Sequence, residues 1–205
     1  MKQKKSFMYI ASFLALTIPT PGRFVLGLTL TLELCILEVL GILINSLVSK
    51  LKFEQIRTYF VMLFIISLTL LYRQILVLTY TEIALNLGFL LYIPPVSVFL
   101  THTLFTDNDE ALPVRLKTNL ISTLLFSLMI LLFFLCRDIA GYGTFTFFGK
   151  NHRIFEKIIL NPDKVGLFIF FASIPGALVL TGLVIYLLLF LRNKFRIIAG
   201  KGDVK

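Results

Sequence analysis

The chain has 205 residues, of which 58 % are apolar and 15 % charged, and its mean hydropathy is +0.92. A soluble domain carries about 25 % charged residues, so this composition excludes a soluble globular fold, and it excludes disorder for the same reason. The net charge of +9 would suggest nucleic acid in a soluble protein. Here the basic residues sit between and beyond long apolar runs, so they are read as topogenic charge with no nucleic-acid partner. The expected class is an all-α polytopic membrane protein forming a single domain over 1–205, with about six crossings.

In chain order, a basic head (Met1 to Lys5) precedes a first apolar stretch that Pro19, Pro21 and Gly22 break, giving a short or broken helix over 6–22. About 12 apolar residues rise only ~18 Å, short of the ~30 Å hydrocarbon core. The second run, 24–48, is long enough to span and contains Glu33 and Glu38. The third, 59–80, contains Arg73. The fourth, 83–105, is interrupted by Pro94-Pro95, where two missing N–H groups predict a break. An acidic-then-basic loop (Asp107, Asp109, Glu110, then Arg115 and Lys117) leads to the fifth run, 120–136.

Arg137 then opens a long loop to Lys164. Its start, with Asp138, Gly141 and Gly143, reads as a turn, and Arg153 to Leu160 reads as a short interfacial helix. The sixth run, 165–191, carries Ile174-Pro175-Gly176, a predicted kink, and 192–205 is a basic tail. The head, the tail and the basic turns after runs two and four fall on one side of a six-crossing chain. That asymmetry predicts both termini in the cytoplasm. Runs one and four are both broken and each precedes a clean spanning run, which points to an inverted 3+3 repeat.

Glu33, Glu38 and Arg73 are the charged residues set well inside spanning runs. Each costs at least ~2.5–3.5 kcal/mol near the bilayer centre and should face protein or water. Glu33 lies ~4.5 Å and Arg73 ~6 Å from the middles of their runs on the same side, which predicts an interhelical ion pair. Two readings stay open: a proton or cation relay through Glu38 and Glu33, or a pair that fixes helix register. His102 reads as an interfacial side chain. Cys35 and Cys136 make no metal-spacing motif, and soluble-enzyme signatures are absent from the sequence.

Three stretches carry a family resemblance: Arg57 through Met62, Ile65 and Ser67-Leu68 to Gln74-Ile75-Leu76; Arg137-Asp138-Ile139-Ala140-Gly141-Tyr142-Gly143; and Asn161-Pro162 through Gly166-Leu167 to Ala172-Ser173-Ile174-Pro175. In their order and spacing they resemble the integral-membrane subunits RnfA/RnfE and NqrD/NqrE of ion-pumping Rnf and Nqr oxidoreductases. The resemblance implies a bacterial inner-membrane subunit that partners other membrane subunits and couples electron transfer to Na+ or H+ translocation. It also implies a [2Fe–2S] cluster shared between two such subunits, with one cysteine on each of two broken helices. The frames for those cysteines fall on Ala11 to Thr17 and on Pro94 to Leu100, so the ligand positions hold Ala11 and Leu100. Neither can ligate iron, so no cofactor is expected on this chain alone and at most a non-catalytic role in the oxidoreductase. Two other readings compete. One is the substrate-binding subunit of an energy-coupling-factor vitamin transporter, suggested by the Ala11/Ala15 spacing, with the Arg137–Lys164 loop helping to enclose the substrate. The other is a structural membrane protein.

Overall fold

A computed structural model describes residues 2–50, 54–105, 112–149, 153–160 and 169–200. The chain is mostly helical. Four segments are long and apolar enough to cross a bilayer: Phe24–Lys50, Ile56–Thr79, Thr81–Phe105 and Leu112–Tyr142, with shorter apolar stretches at Met8–Thr17 and Ile174–Leu187. The Asp107–Glu110 loop and the Asn161–Leu167 part of the family resemblance lie outside the described residues.

Helix α1 (Lys2–Thr17) stops before Pro19. The freed backbone there is served locally, since the Thr17 and Thr20 hydroxyls donate to the Phe13 and Leu16 carbonyls. Helix α2 (Phe24–Lys50) rises ~40 Å and is the hub of the bundle, touching α3 (Glu54–Thr79) and the helices of the second half.

The predicted break in the fourth run is present, but not at the prolines. Helix α4 (Thr81–Leu87) passes through a 3-10 turn (Gly88–Tyr92) into α5 (Ile93–Val96), and the chain turns extended only at Ser97 before α6 (Val98–Phe105). Pro94 and Pro95 occupy the first turn of α5, where a missing N–H costs nothing. Ser97 makes the break: its hydroxyl donates to the Pro94 carbonyl at 2.7 Å and accepts from Leu100 N at 3.3 Å, capping α6.

Helix α7 (Leu112–Tyr142) is longer at both ends than 120–136, and it antiparallels α2. Gly27 lies against Phe134 and Cys35 against Ser127, so rising numbers on α2 meet falling numbers on α7. At Gly27 a Cβ would collide with the Phe134 ring. The expected turn at Arg137 is therefore helix, and the turn comes at Gly143, whose φ of +67° suits glycine. Its N–H closes on the Ile139 carbonyl at 3.0 Å.

The expected interfacial helix over Arg153–Leu160 is instead strand β2 (Ile154–Ile158), antiparallel to β1 (Thr144–Phe148) with Thr144 opposite Ile158 and Phe148 opposite Ile154. Phe and Ile dominate both segments, and such residues pack well on a pleated surface. The contacts that tie β2 to the rest of the chain include the Arg23–Glu156 ion pair and the Ile154 N–H donating to Glu82. The chain then forms α8 (Ile169–Ala172) and α9 (Ile174–Gly200). The Ile174-Pro175-Gly176 site is a full break rather than a kink: Ser173 interrupts the helix, and its hydroxyl accepts from Gly176 N.

Candidate functional site

The fold gathers most of its buried polarity in three places, and α2 contributes to each. At one end of the bundle sits Arg137, fully buried. Its Nη1 donates to the Thr17 and Thr20 carbonyls at 2.9 and 2.8 Å. Its Nε and Nη2 donate to the Phe171 and Ala172 carbonyls at 3.2 and 2.9 Å. One guanidinium thus closes the C-terminal ends of two interrupted helices, α1 and α8, where orphan carbonyls and the helix dipole favour a cation.

The next residue, Asp138, does the reverse. Its Oδ2 accepts from the first N–H of α2 (Phe24, 3.1 Å), from Thr146 N (2.8 Å) and from Thr146 Oγ1 (2.6 Å), while Oδ1 accepts from Thr144 Oγ1 (3.0 Å). An anion stands at a helix N-terminus and a cation at two helix C-termini, on adjacent residues. Gly141 is part of the same joint as a point of close approach, since a Cβ there would come within 2.9 Å of the Ala172 backbone.

At the opposite end, Asn45 Nδ2 and Arg115 Nη2 both donate to the Leu104 carbonyl, at 2.5 and 2.8 Å, and Arg57 Nε donates to Asn45 Oδ1 at 2.7 Å. This closes the C-terminus of α6 in the same manner. Glu38 lies one step deeper and accepts from Thr103 Oγ1 at 2.8 Å. Sequence reading missed Asn45, Arg57, Thr103 and Arg115 as a group. The legible signal was a polar Asn seven residues beyond Glu38, two turns along one face of α2.

Glu33 is the exception. It is fully buried, and neither carboxylate oxygen has a hydrogen-bond partner among the described residues. The predicted ion pair with Arg73 does not form, because Arg73 is exposed. Tyr72 takes the inward position on α3, its hydroxyl donating to the Thr29 carbonyl at 3.0 Å, one turn before Glu33. Arg73 lies about 100° further round the helix, and near the end of α3 its long stem can carry the guanidinium toward the headgroups.

The helices that carry the positions assigned to cluster ligands do meet. Helix α1 touches α6, and Ser12 Oγ accepts from Phe99 N at 2.8 Å, between the neighbours Ala11 and Leu100. Neither neighbour offers a donor atom. Cys35 lies 3.7 Å from Ser127 Oγ on the α2–α7 seam and Cys136 is exposed, and no group of three or more His, Cys, Asp or Glu gathers among the described residues. The residues present do not fit an iron–sulfur cluster.

No family model, curated protein or solved structure matches the chain.

Proposed function

We propose that this chain is a membrane subunit of an electron-transport complex of the Rnf/Nqr kind, in a bacterial inner membrane, that serves ion translocation and leaves the redox centres to its partners. The observation that carries this reading is the meeting of the two interrupted helices α1 and α6 at Ser12 and Phe99. That contact joins the two segments to which the resemblance assigns the cysteine frames, next in sequence to Ala11 and Leu100. The arrangement of halves adds support. Each half begins with an interrupted helix (α1; α4 to α6) followed by a long one (α2; α7), and the long ones pack antiparallel at the centre, as an inverted 3+3 repeat would. In this reading α1 and α9 complete six crossings, with both termini on the cytoplasmic side where the basic residues concentrate.

The ion-handling role falls to Glu33 and Glu38. An unpaired carboxylate buried among helices must be neutralised, and in a translocating subunit a proton or Na+ does so in transit. The test is a pull-down of the tagged chain from native membranes in mild detergent, with mass spectrometry of its companions. Recovery of flavin- or cluster-bearing redox subunits is expected. Recovery of ATPase subunits would replace this reading with a vitamin importer.

A further inference from the structure

A cleft of about 280 Å³ opens between α1, α7 and α9. Tyr9 and Phe13 wall it on α1, Ser122, Phe126 and Met129 on α7, and Val184 on α9. Its lining is almost wholly apolar, and the Ser122 hydroxyl is committed to the Thr118 carbonyl at 3.1 Å. It therefore offers little hydrogen-bond readout for a polar substrate, and what it fits is hydrocarbon.

The ends of the three helices say more. Tyr9 packs on Phe126 and Phe13 on Phe133, so α1 and α7 run parallel. Helix α9 starts beside Gly141, near the end of α7, and so runs back toward the start of α1. The three helices thus bring Lys2, Lys4 and Lys5, exposed Lys117, and Arg192, Lys194 and Arg196 to one end of the cleft. By helical rise these positions stand ~6–17 Å beyond it. None of the three helices carries an acidic residue at that end; Asp107, Asp109 and Glu110 belong to the preceding loop.

We propose that this cleft binds one acyl chain of an anionic phospholipid, whose headgroup is drawn to the basic end of the three helices. The apolar walls account for the chain and the charge accounts for the headgroup, since basic clusters at the ends of membrane helices attract anionic lipid. The site is independent of Glu33 and of the redox reading.

The test is native mass spectrometry of the purified full chain after exchange through detergent and loading with phosphatidylglycerol or phosphatidylcholine. The expected result is one retained phosphatidylglycerol per chain, with phosphatidylcholine held at least about tenfold more weakly. Ser122→Phe and, separately, Val184→Phe fill the cleft from opposite walls and should each abolish retention with helical content unchanged. The triple change Lys2→Gln, Lys4→Gln, Lys5→Gln should weaken phosphatidylglycerol and leave phosphatidylcholine as it was. Equal retention of the two lipids would overturn the headgroup assignment. Retention that survives in a folded filling variant, absence of any retained lipid, or a second protein chain cross-linked into the cleft would overturn the site.

Discussion

Arg137 and Glu33 are both ionisable, both fully buried and both on the central α2–α7 pair, yet they are treated in opposite ways. Arg137 donates to four carbonyls within 3.2 Å, and its neighbour Asp138 accepts from two backbone N–H groups and two threonine hydroxyls. Glu33 has no partner among the described residues. A saturated buried charge is a structural joint, because each bond replaces one that water would have made. An unsaturated one gains no such bonds from the described residues. Under the proposed function, the comparison separates what the chain uses for architecture from what it keeps for ion handling.

The largest effect is expected at the joint. Arg137→Ala strips the carbonyls of two helix ends at once and should cost more than ~3 kcal/mol. For a chain of this size that lowers the melting temperature by roughly 6–12 °C, readable by thermal unfolding in detergent. Arg137→Lys should recover only a minor part, because one ammonium cannot span carbonyls on two separate helices. A melting temperature within 2 °C of the parent for the alanine variant would sink the joint. Asp138→Asn comes next, at about 2 kcal/mol, because its amide keeps one acceptor and turns a donor toward the N–H groups of Phe24 and Thr146. Hydrogen exchange at the first turn of α2 would show where that loss falls, and unchanged protection there would count against the cap.

Glu38 stands between the two extremes, with one hydrogen bond from Thr103 and one oxygen left over. Thr103→Val should cost about 1 kcal/mol, the worth of a typical single hydrogen bond. It should also make Glu38 resemble Glu33 in its access to ions. An ion-flux assay on the reconstituted chain would sharpen the comparison: a change in flux without a large change in stability places Glu38 with the chemistry, and the reverse places it with the joints.

Much of this was legible beforehand in the membrane runs and little of it in the connections. Uninterrupted apolar length identified α2, α3 and α7, and proline announced interruptions near α1, α6 and α9. The sites of interruption were missed by a few residues, because Ser97 and Ser173, which cap the following helices, decide where the chain turns. Arg137 and Asp138 read as the start of a turn because Gly141 and Gly143 follow closely. Only the tertiary partners on α1, α8, α2 and β1 let the helix continue through them. The hairpin failed for the opposite reason: the segment from Arg153 is short, and its pairing with Thr144–Phe148 is a contact that no local pattern announces. Glu33 was legible as an intramembrane charge, but its partner was not, since Tyr72 and Arg73 are neighbours in sequence and only packing decides which of them faces α2.

The smallest stability effect is expected at Glu33, and there its smallness is the point. Glu33→Leu removes a carboxyl that makes no hydrogen bond and leaves a side chain of similar size among apolar neighbours, so folding should be unchanged or gain up to ~1 kcal/mol. Glu33→Gln is milder still in shape, yet it holds no charge to be neutralised. In a reconstituted complex, each variant should lower ion flux by roughly tenfold or more while assembly and melting temperature hold, since a relay depends on a group that can exchange its counter-charge. Normal flux in an assembled Glu33→Gln, Glu38→Gln double variant would remove the relay. A loss of stability in Glu33→Leu would instead mean that this carboxyl is a joint after all, with a partner supplied by another subunit, and the two buried charges would then differ only in where their partners come from.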